Sequence, residues 1–487
     1  MDDMPTLDVF ILTFNAAKHD INIPVFARHL YNAFGQIGSR LPELLVVSLQ
    51  EMAPMHLAFI GSHALYPYFR SYELAVDIAA AMFVAEEERQ LRLKGRTYKL
   101  VTTRNVGMTG IMLFACEPAA VRNLQAAEVG FGAGDMANKG AVGLRTLYEK
   151  QDADGHIVAS TELTFVSAHL EAMEWNLDRR NKNWESIVSG LLFEDPKKFA
   201  ERPSLHPTLH GSEDPDEEQN LLGRDSTEKA LRDISIYKPG AHLFVAGDLN
   251  YRLSKTSPAP GSVFPTTDPE SPNYYANFLT RDQLAAEKSA GRTLHGLSEA
   301  AIKFPPTYKL EPSPKSKPQT ELGRIGDEGD EGDDVDEVKW SWARHRWPGW
   351  CDRILFLDIP WWVREGEGVG KAAKMKITTY DALPAVRSSD HRAVFLRLQV
   401  PMLDPDSLAP TESACEREQS AVWDEPVNPR IKLPFSVDFR SWEHRAMVKK
   451  WESTIGWSML ISQSKQGIMV FITVLLVGLG AWWYRSR

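Results

Sequence analysis

The chain has 487 residues and a formal net charge of −10, from 55 basic against 65 acidic side chains, and is 43% hydrophobic and 25% charged. That balance excludes a mainly disordered, collagen-like or disulfide-stapled protein, and the acidic excess argues against a general nucleic-acid binder. Cys116, Cys351 and Cys415 are widely spaced and odd in number, which disfavours a disulfide framework or a thiolate zinc site and suits a reducing compartment. The N-terminus, Met1–Pro5, is acidic and does not read as a secretory signal.

In chain order, short apolar runs read as buried strands: Leu7–Leu12, Leu44–Leu49, Gly110–Cys116, Leu163–Ala168, Leu243–Ala246, Ile354–Leu357 and Val394–Val400. Helical periodicity lies between several of them, as in Ile23–Phe34 and Asn176–Leu192. Asp152–Gly155 reads as a hairpin turn between Leu144–Tyr148 and Ile157–Leu163. The mixture predicts a layered α/β fold with a partly antiparallel sheet. Two acidic stretches, at about 201–225 and 311–339, read as mobile surface insertions; Glu213–Glu218 holds five acids and Asp327–Glu337 eight, with no base in either. Without them the chain is mildly basic, as suits approach to an anionic surface.

Residues 401–466 read as a linker and juxtamembrane stalk, with Phe435–Ile461 either an amphipathic helix on a membrane or a solvated stalk. Gly467–Tyr484 is an uncharged stretch of 18 residues, about 27 Å as a helix against a hydrocarbon core of about 30 Å. Lys465 precedes it, and Trp482, Trp483, Tyr484, Arg485 and Arg487 border its far end. The pattern predicts a transmembrane tail anchor with residues 1–400 as a catalytic domain in the cytosol.

Residues able to bind metal or move protons recur beside the apolar runs. Asn15, Glu51, His169, Asp248 and Asn250 follow such runs, and Asp390-His391 precede one. Strand ends in α/β folds point such groups into one crevice. Carboxylate and amide oxygens suit a hard cation such as Mg²⁺, and Asp352 offers an acid to hold an imidazolium, a combination suited to water attack on a phosphate ester.

Gly247-Asp248-Leu249-Asn250-Tyr251-Arg252 and Pro348-Gly349-Trp350-Cys351-Asp352-Arg353-Ile354-Leu355 resemble the paired signatures of inositol polyphosphate 5-phosphatases. Supporting blocks follow in family order: Thr13-Phe14-Asn15, Gln50-Glu51, Asn138-Lys139-Gly140-Ala141-Val142, Ser167-Ala168-His169-Leu170, Pro306-Thr307-Tyr308-Lys309 and Ser389-Asp390-His391-Arg392. The resemblance implies a four-layer α/β sandwich, DNase I-like, and an Mg²⁺-dependent phosphatase with phosphatidylinositol 4,5-bisphosphate as leading substrate. It implies Glu51 as main metal ligand, with Asn15 beside it and Asp390 helping through water. Asp248 would orient or deprotonate the attacking water, Asn250 would steady the phosphate, and His391, polarised by Asp352, would bind it, with His169 on another side. Tyr308, Lys309, Arg344 and Arg346 would form the patch for the neighbouring 4-phosphate, and Asn138 and Lys139 a second contact. With the anchor, the chain is similar to fungal endoplasmic-reticulum members of the family, although mitochondrial outer and peroxisomal membranes take similar tails. One departure stands out: Met173 takes the place of a family histidine. A superfamily nuclease or sphingomyelinase, or a catalytically weak phosphoinositide tether, are the competing readings; no protein partner is legible.

Overall fold

The computed structural model describes residues 4–36, 40–91, 97–152, 154–200, 227–313, 338–365, 373–420, 427–463 and 465–486. The acidic stretch 201–225 and all but the ends of 311–339 lie outside the described residues.

Every expected strand is present. The first sheet contains β1 (Thr6–Asn15), β2 (Leu44–Gln50), β3 (Lys99–Val106), β4 (Thr109–Ala115), β13 (Lys376–Ala382) and β14 (Val394–Pro401), in the order β13-β14-β1-β2-β4-β3. The second contains β5 (Val121–Gly130), β6 (Gly140–Gln151), β7 (Ile157–His169), β8 (Ala241–Asp248), β9 (Leu297–Glu299) and β12 (Asp352–Leu357), in the order β5-β6-β7-β8-β12-β9. A separate ribbon pairs β10 (Leu310–Pro312) with β11 (Trp340–Trp342). Only β1–β2 and β7–β8 pair in parallel, so the sheets are largely antiparallel.

Alternation along β1 explains the layering. Leu7, Val9 and Ile11 join one core with Phe165 of β7, Phe244 of β8, Phe356 of β12 and Leu396 of β14, so this core lies between the two sheets. Phe10, Leu12 and Phe14 point the other way, into a core with helices α1 (Ile23–Gly35) and α3 (Tyr66–Leu91). On the far side of the second sheet, Val166 and Val245 pack with Trp184 and Ile187 of α4 (Leu177–Gly190). The result is the expected four layers, helix–sheet–sheet–helix. Strands buried on both faces read as continuous apolar runs, which is why they were recognisable. The helix α1 begins where Asn22 accepts a hydrogen bond from the Val25 N–H at 3.2 Å.

Two expectations are corrected. Among the described residues, no helix is long and apolar enough to cross a membrane. The tail does form a helix, α6 (Lys465–Arg485), but its strongly apolar part, Ile468–Leu479, has twelve residues, against about 20 for a full span. The rest is Lys465, Gln466 and Gly467 at one end and Gly480, Ala481, Trp482, Trp483, Tyr484 and Arg485 at the other. The transmembrane anchor is therefore unsupported. Nor is 401–466 a free linker and stalk: buried Leu408, Ala414 and Ile431 join the inter-sheet core, and the Arg430 guanidinium donates to Ala241 O at 3.2 Å. Residues 441–463 form helix α5 (Ser441–Gln463), docked on the domain through Trp442 Nε1, which donates to Leu192 O at 3.1 Å.

Phe244 stacks on Phe165 with centroids 5.3 Å apart in the inter-sheet core. Phe244→Ala is expected to lower unfolding stability by about 3–5 kcal/mol, read as a lower denaturant midpoint at unchanged slope.

Candidate active site

Strand register brings the site together. In the second sheet His169 pairs with Asp248 across β7–β8, and Asp248 pairs with Asp352 across β8–β12. In the first, Asn15 pairs with Gln50, beside Glu51, and Thr13 pairs with Val394, three residues after His391. The two sheets are tied at this end: Asn15 Nδ2 donates to Asp248 Oδ2 at 2.9 Å, and the Ser48 and Ser167 hydroxyls lie 2.6 Å apart. The motif glycine keeps this end tight, since a Cβ at Gly247 would come within 1.9 Å of Ala168 O.

Asp352, His391 and Asp248 form the centre. His391 Nδ1 lies 2.9 Å from Asp352 Oδ2, which also accepts from Thr307 Oγ1 at 2.7 Å, and His391 Nε2 faces Asp248 Oδ2 at 4.0 Å. The Ser389 hydroxyl donates to Asn15 O at 2.6 Å and accepts from the His391 N–H at 3.0 Å, linking the histidine loop to β1. Burial alone would depress the His391 pKa, but Asp352, Asp248 and Asp390 reverse this and raise it to about 9. Burial pushes the Asp352 carboxyl up, and the imidazolium opposes it. Burial would raise Asp248 too; the hydrogen bond with His169 and the charge on His391 hold it well below the usual carboxylate range instead. These three residues bring ligand atoms within 4.8 Å of one another. In its protonated form the His391 imidazole donates from both ring nitrogens, one toward Asp352 and the other toward Asp248.

On the other side of Asp248, His169 Nε2 lies 3.3 Å from Asp248 Oδ2 and also contacts Lys139 Nζ. Burial and Lys139 lower the His169 pKa, and burial lowers that of Lys139. Glu51 meets Lys139 at 3.9 Å and Lys18 at 2.9 Å. Burial would raise its pKa, but His169, Lys139 and Lys18 outweigh this and lower it. A carboxylate that draws cations from two sides, with Asn15 on the neighbouring strand paired to Gln50, fits a hard divalent ion. Asp390 does not point to that donor set alone, because its Oδ2 pairs with Lys309 at 2.5 Å.

The outer pocket is built by residues around 308 and 346. The Tyr308 ring lies 4.6 Å from that of His391 and carries Arg252 over its face at 4.2 Å. The β10–β11 ribbon brings Leu310–Pro312 against Trp340–Trp342, and the Ala343 N–H donates to Lys309 O at 3.1 Å, so Arg344 and Arg346 return to the neighbourhood of Lys309. They diverge there. Arg346 binds Glu174 at 3.1 Å and points Nη2 at Met173 Sδ, 3.4 Å away, whereas Arg344 lies over Phe264 at 5.0 Å. Asn138 Oδ1 is buried and makes no hydrogen bond. Glu51, Met173 and Asn250 all have left-handed φ angles, of 46°, 73° and 57°; outside Asn and Gly this costs on the order of 1–3 kcal/mol.

The endonuclease/exonuclease/phosphatase family 2 model matches residues 12–397, an interval that contains all of this machinery. The chain belongs to this family. It is 29% identical over 269 residues to the type II inositol polyphosphate 5-phosphatase 15 of Arabidopsis thaliana, covering 54% of this chain and 20% of that protein. It is 25% identical over 351 residues to the phosphatidylinositol 3,4,5-trisphosphate 5-phosphatase 2B of Danio rerio, covering 71% of this chain and 22% of the relative. The match thus spans about a fifth of the length of these relatives. Among solved structures, the inositol polyphosphate 5-phosphatase domain of SPsynaptojanin, in complex with inositol (1,4)-bisphosphate and calcium ion, shares the fold at TM-score 0.51 and 21% identity, over 82% of this chain and 85% of that one.

Within this family member, the structure gathers Asn15, Glu51, Lys139, His169, Asp248, Asn250, Asp352 and His391 into one linked set. Tyr308, Lys309, Asp390 and Arg346 line its approach, and Arg344 lies over Phe264 instead. Sequence reasoning passed over Lys18, Thr307, Ser389 and Arg252. Arg252 donates to Asn250 O at 3.1 Å and Thr307 to Asp352, and both sit inside the quoted motifs. Lys18 carries no such signal.

The raised His391 pKa sets a sign. Its ordinary value is 6.5 and its folded value about 9, so its ion pairing stabilises the fold fully below pH 6.5 and that stabilisation is lost as pH rises through about 9. The stability difference between the native chain and His391→Gln, measured by denaturant unfolding, should therefore shrink steadily from about pH 6.5 to about pH 10. A difference that grows with pH contradicts the assignment.

Proposed function

We propose that the chain is a divalent-metal-dependent phosphatase that removes the 5-phosphate of phosphatidylinositol 4,5-bisphosphate, leaving phosphatidylinositol 4-phosphate. The observation that carries the reading is His391, protonated against Asp352 and facing the ionised Asp248 across 4.0 Å. A cationic donor opposite a carboxylate can hold a phosphate oxygen on one side and a water on the other. The 5-phosphatase names of the relatives supply the substrate class.

In this reading Asp248 orients the water as the new oxygen–phosphorus bond forms and the ester bond to the inositol oxygen breaks, and the proton the water sheds ends, through Asp248 and solvent, on the released inositol oxygen. Asn15 Nδ2 fixes the Asp248 carboxylate, Asn250 steadies the phosphate, and His391 and His169 bind its oxygens as negative charge grows. Glu51 and Asn15 would hold Mg²⁺, with Asp390 through water, and the ion supplies Lewis-acid stabilisation of the leaving oxygen. Lys309 and Arg346, with Tyr308 and Arg344, take the 4-phosphate, which competes with Asp390 and Glu174 for these cations. Asn138 and Lys139 form the second phosphate contact. The substrate is a bilayer lipid, so we place the activity at a membrane surface.

The test uses the full chain with phosphatidylinositol 4,5-bisphosphate vesicles and soluble inositol 1,4,5-trisphosphate. Phosphate release should require Mg²⁺, stop in EDTA, and fall about 10²–10⁴-fold in Asp248→Ala. Release that survives both EDTA and Asp248→Ala, or cleavage of DNA in its place, contradicts the reading.

A further inference from the structure

Helix α5 lies hundreds of residues from Glu51 and Lys139 in sequence, yet it is bonded to the segments that carry both. Glu452, 2% exposed, accepts from the Ala137 N–H at 2.6 Å. Ala137 directly precedes Asn138 and Lys139. Arg445 holds the same carboxylate as a fork, Nη1 and Nη2 each 2.8 Å from one oxygen, and its Nε reaches Glu128 of β5 at 3.1 Å.

From Ala137 a ladder of peptide bonds continues inward. Ala137 O accepts from the Met108 N–H at 3.3 Å, and Met108 O accepts from the Met52 N–H at 3.2 Å, one residue from Glu51. A second contact acts on the same arm from outside. Helix α2 (Met55–Ile60) starts four residues after Glu51, and Gly456 presses directly on it; a Cβ there would lie 2.8 Å from His56 O and 3.0 Å from Ile60 N. One helix therefore grips the Lys139 arm through Glu452 and the Glu51 arm through Gly456. The two side chains so held stand 3.9 Å apart.

Docking alone does not require a buried carboxylate. An apolar residue of similar size often serves stability as well as or better than a buried ion pair. What Glu452 adds is an acceptor at a fixed place for the Ala137 N–H, which sets the height of the loop that ends in Lys139. We propose that Glu452 is a positioning residue: with Gly456 it fixes the spacing of the Glu51 and Lys139 arms and so tunes divalent-cation binding and turnover. The catalytic part of this rests on the phosphatase reading; the cation-binding part does not.

The experiment compares the full chain with Glu452→Ala, Glu452→Gln and Gly456→Ala, measuring Mg²⁺ binding by calorimetry, melting temperature, and kcat and KM on soluble inositol 1,4,5-trisphosphate. Glu452→Ala should weaken Mg²⁺ binding and lower kcat, each by about 10-fold, with KM unchanged within about 2-fold. Glu452→Gln, whose amide oxygen still accepts from Ala137, should restore most of both. Gly456→Ala should weaken Mg²⁺ binding in the same direction. Wild-type Mg²⁺ affinity in Glu452→Ala at an unchanged melting temperature overturns the proposal. Should Glu452→Ala fail to fold, wild-type affinity in Gly456→Ala overturns it equally. A native chain that binds Mg²⁺ but releases no phosphate defeats the phosphatase reading alone, and the binding comparison still decides the role of Glu452.

Discussion

The site depends on one constraint: carboxylates and nitrogen groups compensate one another through a space from which water is largely excluded, with His169 bridging Asp248 and Lys139. Asp352, His391, Asp248, His169, Lys139 and Glu51 follow one another at contact distances, ending at Lys18 on the surface. In such a setting a lone carboxylate would take up a proton and a lone imidazole would stay neutral. Each is held in its charged or hydrogen-bonding form by its neighbours. Removing one member leaves the next uncompensated, which is far more costly than the net worth of the pair.

The sheets exist in the form they do to bring that series to one level. Register across β7–β8–β12 sets His169, Asp248 and Asp352 side by side, and β1, β2 and the start of β14 deliver Asn15, Glu51 and His391 from the opposing sheet. The Asn15–Asp248 hydrogen bond is where the halves meet. A one-residue slip in any of these strands would turn its functional side chain to the other face. The apolar inter-sheet core therefore does double duty, as the source of stability and as the gauge that fixes catalytic geometry.

Much of this was legible in the sequence. Strands such as Leu243–Ala246 are apolar on both faces and stand out without alternation, and the chemistry sits just beyond them. The layering and the central polar set followed. In the tail, length and lack of charge predict a span, but the strongly apolar part, Ile468–Leu479, is short. For helix α5, a helix was one of the two expectations, but its docking on the domain was not legible. The residues it buries are Ser441, Val448, Glu452 and Gly456, mostly small or polar, while Trp451 and Trp457 are exposed. Its docked face leaves no apolar stripe for periodicity to detect. Lys18 and Glu452 were invisible because their meaning lies in partners brought near only by the fold. Arg346 shows the intermediate case: recognisable as a cation of the approach, but not as the partner of Glu174 and Met173.

This linked series makes a direct demand on His391. Titration of its imidazole by nitrogen-15 NMR in the native chain should show protonation at both ring nitrogens at neutral pH, with loss of the proton near pH 9, and a downward move of that transition in Asp352→Asn. A transition at or below the ordinary 6.5 in the native chain would contradict the account.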